Sequence, residues 1–538
     1  MKQQRILGLK ISYILTALIF SLLRAISLSL YHSDQNLRHW FRLFVFAGRF
    51  LFYFLVFCVF LLALEFVFLH ARVFFRNTLG KRKVLPDYFW LAAAWLPLVI
   101  LKYPAAMNYD TWVMLHDYRT NALTEFQSVF YSLVIGGCVG IAEKAGMTNL
   151  GLFVLNIAQY LLCVLVFGYT FTVLRKMKVS PLMQWIAFFI YILNPYIIGY
   201  IGVLIKDMPY SVLMLGITAL LIDWEIDPET FFQTRPKVFF LVISLIGSIL
   251  IRKNGVYLTA VLVLVTGIGF LVKKSGKSML IVLLVSLILG EVMLKGLSFA
   301  THASPGTIRE ALSLPFQQTA RYVREFGDTI PTEEREAIDA VLDYDRLPRI
   351  YNPMISDPVK RTYKEDSSKL PAYFAVWFRQ FLKHPKCYVM ATMEQNYYLF
   401  MPEIQNLAIF KDFESGYENG ESIYMPYHDF YEYLFSVPET LGMIQSWFVK
   451  EVQFLHRMPI LGMLGNTSFW TYLLFFILVI AAGQKCRWLY TSIPMIVAFG
   501  FVILGPTIQG HPRYMFPIIF SLPLYALYMI SQKQQEKQ

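Results

Sequence analysis

The 538-residue chain holds five cysteines, with no CxxC pair and no His/Cys cluster, so neither a disulfide framework nor a structural zinc site is indicated. They are Cys58, Cys138, Cys163, Cys387 and Cys486, and of these Cys387 alone lies in the long polar insert described below. Charge is also scarce, at 16% of residues. There is no GxxxxGK[ST] loop and no convincing GxGxxG, which removes the usual sequence signs of a nucleotide-phosphate cradle. No RNA- or DNA-binding motif, internal repeat or low-complexity tract is evident, so a duplicated transporter architecture gains no support.

What the chain has in abundance is apolar surface. Apolar residues make up 57% of it, and the mean hydropathy is +0.50. A soluble globule is excluded, and the composition predicts an all-α polytopic membrane protein. A helix crossing the bilayer needs about 17–25 largely apolar residues. Twelve segments meet or approach that length, at 7–30, 43–70, 87–103, 149–174, 183–203, 208–223, 237–251, 256–272, 278–296, 469–484, 488–506 and 514–531. The first reads as a span rather than a cleaved signal peptide, because it is long, carries Lys10 and Arg24 and lacks a small-residue cleavage site.

Loop charge orients these spans. Basic stretches at Arg72 to Lys83, Arg175 to Lys178, Lys273 to Lys277, Lys485 to Arg487 and the Lys533/Lys537 tail belong in the cytoplasm. The apolar stretch 127–142 decides the count. As a crossing it would put Arg175 to Lys178 outside, whereas a helix on the outer surface keeps every basic loop inside. The second reading gives a multi-pass protein of the cell membrane with both termini cytoplasmic.

Three regions follow: a transmembrane module, 1–296, whose first outer loop, 102–148, carries the surface helix; an extracytoplasmic, mainly helical domain, 297–468; and a C-terminal membrane module, 469–538. Leu297 to Ser468 holds 22 acidic against 16 basic residues, so the +12 excess of the whole chain sits in the loops facing anionic lipid. It says nothing of nucleic acid. Within the insert, helices are expected over Ile308 to Val323 and Thr332 to Leu342, with Thr332 as a cap. The dense aromatics Tyr397, Tyr398, Phe400, Tyr424, Tyr427, Phe430, Tyr431 and Tyr433 suit interfacial packing or a sugar-stacking surface.

The charged motifs all fall at the outer ends of spans, where charge is expensive unless it is used. Asp110, in Asn108-Tyr109-Asp110, can deprotonate or orient an acceptor hydroxyl or bind a divalent metal; the competing reading is a helix cap. His116 and Asp117 follow six and seven residues later, with Asp117 near the same helical face. Lys206-Asp207 can anchor a phosphate or sugar hydroxyls, or be a solvated turn. Arg252 and Lys253, with Asn254 beside them, oppose the orientation bias, as does Arg513 in His511-Pro512-Arg513-Tyr514. An anionic ligand at that height would account for both arginines, as would snorkelling to ordinary headgroups. Gln317, Gln318 and Arg321 recur on one helical turn, either reaching the same cavity or capping the insert's contact with the spans.

An Asp-bearing first outer loop, a surface helix after it, an outer arginine and the late His511-Pro512-Arg513-Tyr514 resemble the GT-C superfamily of polytopic glycosyltransferases, which includes the protein O-mannosyltransferases. Leu314 to Arg321, Tyr351 to Lys360 and Ile205-Lys206-Asp207 are more closely similar to an uncharacterised family of Gram-positive bacterial membrane proteins. The resemblance spans nearly the whole chain. It implies transfer of a sugar from a polyprenyl-phosphate donor to a cell-wall polymer, glycolipid or protein acceptor. Under it Asp110 acts on the acceptor, and Arg252, Arg513 and Lys206 bind the donor phosphate. Asp207, Asn254, His511, His116, Asp117, Gln317, Gln318 and Arg321 contact substrate, no cofactor is required, and a divalent metal is compatible with the carboxylate. The chain departs from the pattern at Ala105, where Gly is expected after Pro104, and at Phe126-Gln127-Ser128, where a His/Pro-rich start is common. Competing classes are an outer-leaflet polysaccharide polymerase or ligase, and a lipid or glycan transporter, which would place ionisable groups such as Glu65 and Glu291 at mid-membrane.

Overall fold

The computed structural model describes residues 5–6, 9–32, 43–70, 86–404, 435, 437–484, 486–505 and 508–535. The basic stretch Arg72 to Lys83, Lys485, Lys537 and the aromatics Tyr424, Tyr427, Phe430, Tyr431 and Tyr433 lie outside them.

The described chain is almost wholly helical. In order it forms α1 (Ile11–His32), α2 (Leu43–His70), α3 (Tyr88–Leu101), α4 (Tyr109–Arg119), α5 (Val129–Lys144), α6 (Thr148–Lys176) and α7 (Pro181–Ile192). Then come α8 (Pro195–Tyr200), α9 (Asp207–Ile226), α10 (Arg235–Ile251), α11 (Asn254–Lys273) and α12 (Lys277–Ala300). The polar region contributes α13 (Ser313–Phe326), α14 (Thr332–Asp339), α15 (Leu370–Lys383), α16 (Pro385–Asn396) and α17 (Glu439–Arg457). The chain closes with α18 (Thr467–Gly483), α19 (Leu489–Leu504) and α20 (Phe516–Gln535). Among the described residues seven helices are long and apolar enough to cross a membrane, and four shorter apolar helices accompany them. This is an all-α membrane protein.

Two compact units divide the chain: Met1–Ala63 with Thr307–Ile404 and Phe499–His511, and Leu64–Gly306 with Gln405–Ala498 and Pro512–Gln538. In the first, Phe316, Ala320, Val323, Ile338, Val341, Leu342 and Tyr373 form the core of a helical lobe. Arg321 is buried there and paired with Glu394 at 2.5 Å and Glu325 at 3.0 Å, while Tyr351 donates to Glu394 at 3.2 Å. A buried charge is tolerated only when paired and hydrogen-bonded in this way. Tyr397, Tyr398 and Phe400 are buried, Phe400 against Phe20 of α1, so these three pack rather than offer a sugar-stacking face. Arg24, inside α1, is likewise buried; it pairs with Glu403 and donates to the Phe400 carbonyl at 3.1 Å. Thr332 begins α14 without capping it, the N-cap position falling to Pro331.

In the second unit α9 is buried along most of its length. At its far end Asp223 is buried and held by Lys176 and Lys237, each at 2.6 Å, and by Tyr169 at 2.5 Å. That pin ties α6, α9 and α10 together. The segment near Asn194-Pro195 is broken, as proline requires: α7 ends at Ile192, Asn194 accepts from the Tyr196 amide at 2.9 Å, and Pro195 opens α8. The stretch 127–142 is largely α5, capped by Ser128, and it lies close on α6, where a side chain at Gly151 would meet the Cys138 carbonyl oxygen at 2.7 Å.

Candidate functional site

The site begins with a two-residue parallel ladder. Ala106 pairs with Val203 and Met107 with Leu204. This short pairing sets Asn108-Tyr109-Asp110 beside Ile205-Lys206-Asp207, although they lie far apart in sequence. Buried backbone polar groups here need partners, and α6 supplies them: Gln159 donates to the Ile201 and Val203 carbonyls at 3.0 Å each, and Asn156 to the Pro104 carbonyl at 3.3 Å.

Asn108, and not Asp110, caps α4. Its side chain accepts from the Thr111 amide at 3.1 Å, and the single Thr111 hydroxyl proton is shared between that oxygen, 2.6 Å away, and the Leu204 carbonyl. Asp110, in the first turn, is therefore free to face the cluster. Arg513, from the turn that leads into α20, donates to Asp110 Oδ2 at 3.1 Å and stands 3.8 Å from Asp207 Oδ2. Arg252 terminates α10 in an extended conformation and pairs with the other oxygen of Asp207. Its tight turn depends on Gly255, where a Cβ would lie 2.5 Å from the Ser248 carbonyl carbon. Lys206, preceding α9, donates to the side-chain oxygen of Gln127. Tyrosines complete the wall: the Arg252 guanidinium sits 5.6 Å from the Tyr210 ring, and that of Arg513 lies 5.2 Å from the Tyr514 ring.

The electrostatics follow from this geometry. Burial pulls the Asp110 carboxyl upward, but the charges of Arg513, Lys206 and Arg252 outweigh it and hold the group below the usual carboxylate range. Burial lowers the Lys206 ammonium, offset in part by Asp110 and Asp207. Burial and the Asp207 charge push the Tyr131 phenol up, so it stays a neutral hydroxyl. Asp207 is 2% exposed and Asp110 18%, so the cluster has a sealed floor and an accessible mouth on the Asp110 side. Arg513 Nε is buried with no hydrogen-bond partner among the described residues, an unused donor inside the cluster. Both carboxylates are already engaged by guanidinium groups, which does not fit a divalent metal. Among the described residues no three His, Cys, Asp or Glu side chains gather as a metal-holding group.

Asp110, Lys206, Asp207, Arg252 and Arg513 thus come together. Asn254 opens α11 without a hydrogen bond to them. Asp117 forms no ion pair among the described residues, and burial raises its carboxyl to about 6; burial also lowers the His116 imidazole. Gln317, Gln318, Arg321 and His511 belong to the other compact unit. Gln317 donates to the Asn352 and Ile355 carbonyls at 2.8 and 3.3 Å, and Gln318 to Thr392 at 3.1 Å. With Arg321 on Glu394, these three make their contacts within the lobe. Of the two carboxylates within long apolar helices, Glu65 accepts from Gln484 at 2.6 Å and Glu291 stands 3.9 Å from Lys295.

The residue that sequence reasoning passed over is Gln127. A buried amide at a helix entry has no motif, and its departure from the GT-C pattern was its one signal. An apolar groove of about 440 Å³ runs between α3 and α17, lined by Ala93, Leu96, Pro97, Ile100, Leu441 and Ile444. Gln445 of α17 anchors it to the Leu101 and Tyr103 carbonyls at 2.9 and 3.1 Å, on the strand of chain that leads to Asp110.

Fold and site define a polytopic all-α membrane protein with a mixed-charge cluster built at the ends of its helices. The chain belongs to the family described as "Family of unknown function (DUF6020)", whose model matches residues 114–538. Lys206, Asp207, Arg252 and Arg513 lie inside the match and Asp110 just before it. No curated protein and no solved structure matches the chain.

Proposed function

We propose that this protein is a membrane glycosyltransferase of the GT-C kind, moving a sugar from a polyprenyl-phosphate donor to a cell-envelope acceptor at the outer face. The observation that carries the reading is the meeting of Asp110, Asp207, Lys206, Arg252 and Arg513 at one place, with cations in excess of carboxylates. With it go twelve crossings, the four shorter apolar helices and α10 added to the seven long ones, both termini in the cytoplasm and the polar region outside.

The chemistry needs both signs of charge. An acceptor hydroxyl attacks the anomeric carbon, and the bond from that carbon to the phosphate oxygen breaks. The electron pair leaves with the polyprenyl phosphate, whose charge grows from about −1 towards −2. Arg252, Arg513 and Lys206 stabilise that developing charge where it appears. The proton passes to Asp110. In the empty cluster Asp110 is a weak base, because three cations surround it. A phosphate entering between them offsets their pull and raises its proton affinity, so the base strengthens as the donor arrives. The groove between α3 and α17 suits an isoprenoid chain whose headgroup reaches this height.

The test is Asp110→Asn. Sugar transfer to the envelope should fall by about 100-fold or more, with membrane insertion and stability kept. A fully active variant would remove Asp110 from the mechanism.

A further inference from the structure

Each arginine of the cluster touches a carboxylate, whereas Lys206 feels the charges of Asp110 and Asp207 without pairing with either. Among the described residues Lys206 forms no ion pair, and its hydrogen bond runs to the neutral side-chain oxygen of Gln127. Two positions earlier on the same segment, Glu125 holds the other outer lysine, Lys253, as an ion pair at 3.1 Å. One short stretch thus grips two lysines in two ways, an acid for one and an amide for the other.

The grip is built rather than incidental. Gln127 is 4% exposed. The segment is pinned by the Glu125 amide donating to the Ser304 carbonyl at 2.8 Å and by the Ser128 hydroxyl donating to the Leu250 carbonyl at 2.8 Å. A buried side chain so fixed holds its partner in one geometry. Because an amide oxygen accepts without carrying charge, the ammonium is oriented and not neutralised.

We infer that Gln127 determines the ligand charge the cluster accepts: by holding Lys206 through a neutral amide, it leaves one uncompensated positive charge for a phosphodiester monoanion. Rested on the transferase reading, that ligand is the donor's phosphodiester. Three cations against two carboxylates leave a single excess charge, which an acid at position 127 would cancel. Gln127 is a positioning residue for Lys206, which would itself touch the phosphate.

The experiment uses the full chain in neutral detergent and the sugar-free phosphodiester methyl farnesyl phosphate, with farnesol as the uncharged control. Since no sugar is present, failure here is distinct from failure of the transfer reading, which is judged by transfer. Wild type should bind the phosphodiester more tightly than farnesol. Gln127→Glu should weaken binding about tenfold or more, and more than Gln127→Met, which removes the acceptor but adds no charge. A purely structural role demands the opposite order, since glutamate keeps the contact to Lys206 and methionine loses it. Equal binding of farnesol, or Gln127→Met weaker than Gln127→Glu, would each overturn the inference.

Discussion

Asp110 and Asp117 sit two turns apart on α4 and meet opposite environments. Asp110 is surrounded by cations and stays ionised into acid, whereas Asp117 is half-buried without a counter-ion and is pushed up to about 6. The sign of the consequence differs accordingly. A carboxyl whose folded value is raised contributes stability that is full below its unfolded value near 3.8 and is lost as pH climbs through about 6. Thermal unfolding of the detergent-solubilised protein should therefore show stability falling between about pH 4 and 6, and Asp117→Asn should flatten that fall. An unchanged slope in the variant would assign the titration elsewhere. At this scale much was legible in the sequence: four short motifs named all five charged members of the cluster, because charges beside apolar spans stand out. Gln127 did not stand out, since an amide carries no sign and its value depends on which lysine it holds.

Elements explain why those motifs meet. The two-residue pairing of Ala106-Met107 with Val203-Leu204 is too short to leave an alternating pattern, so the contact of the first outer loop with Lys206-Asp207 could not be read from periodicity. Helix existence was legible nearly throughout, because long apolar runs leave little choice. The proline break at Asn194-Pro195 was legible for the same local reason. The polar turn Gln317, Gln318 and Arg321 makes its contacts to Asn352, Ile355, Thr392 and Glu394 within the helical lobe, pairings between distant segments that leave no local pattern. The surface placement of α5 carries the whole orientation and has a direct check. If α5 lies along the outer face, cysteines at Thr120 and Lys144, exposed positions flanking it, should both react with an impermeant thiol reagent in intact cells. A crossing would expose one and hide the other, and would invert the sides of everything downstream.

On the scale of the molecule, composition alone established an apolar, multi-span chain with its basic excess concentrated in short loops. Arg252 and Arg513 stand against the two carboxylate oxygens of Asp207. Removing either would leave a buried carboxylate short of compensation, which is why they are costly positions as well as functional ones. The central claim, transfer from a lipid-phosphate sugar, is tested most directly by quantifying polyprenyl-phosphate sugars and envelope glycans in cells with and without the protein. The account predicts that, without it, one envelope glycan loses a sugar while the matching polyprenyl-phosphate sugar accumulates. Unchanged glycans together with an unchanged lipid-linked sugar pool would contradict it.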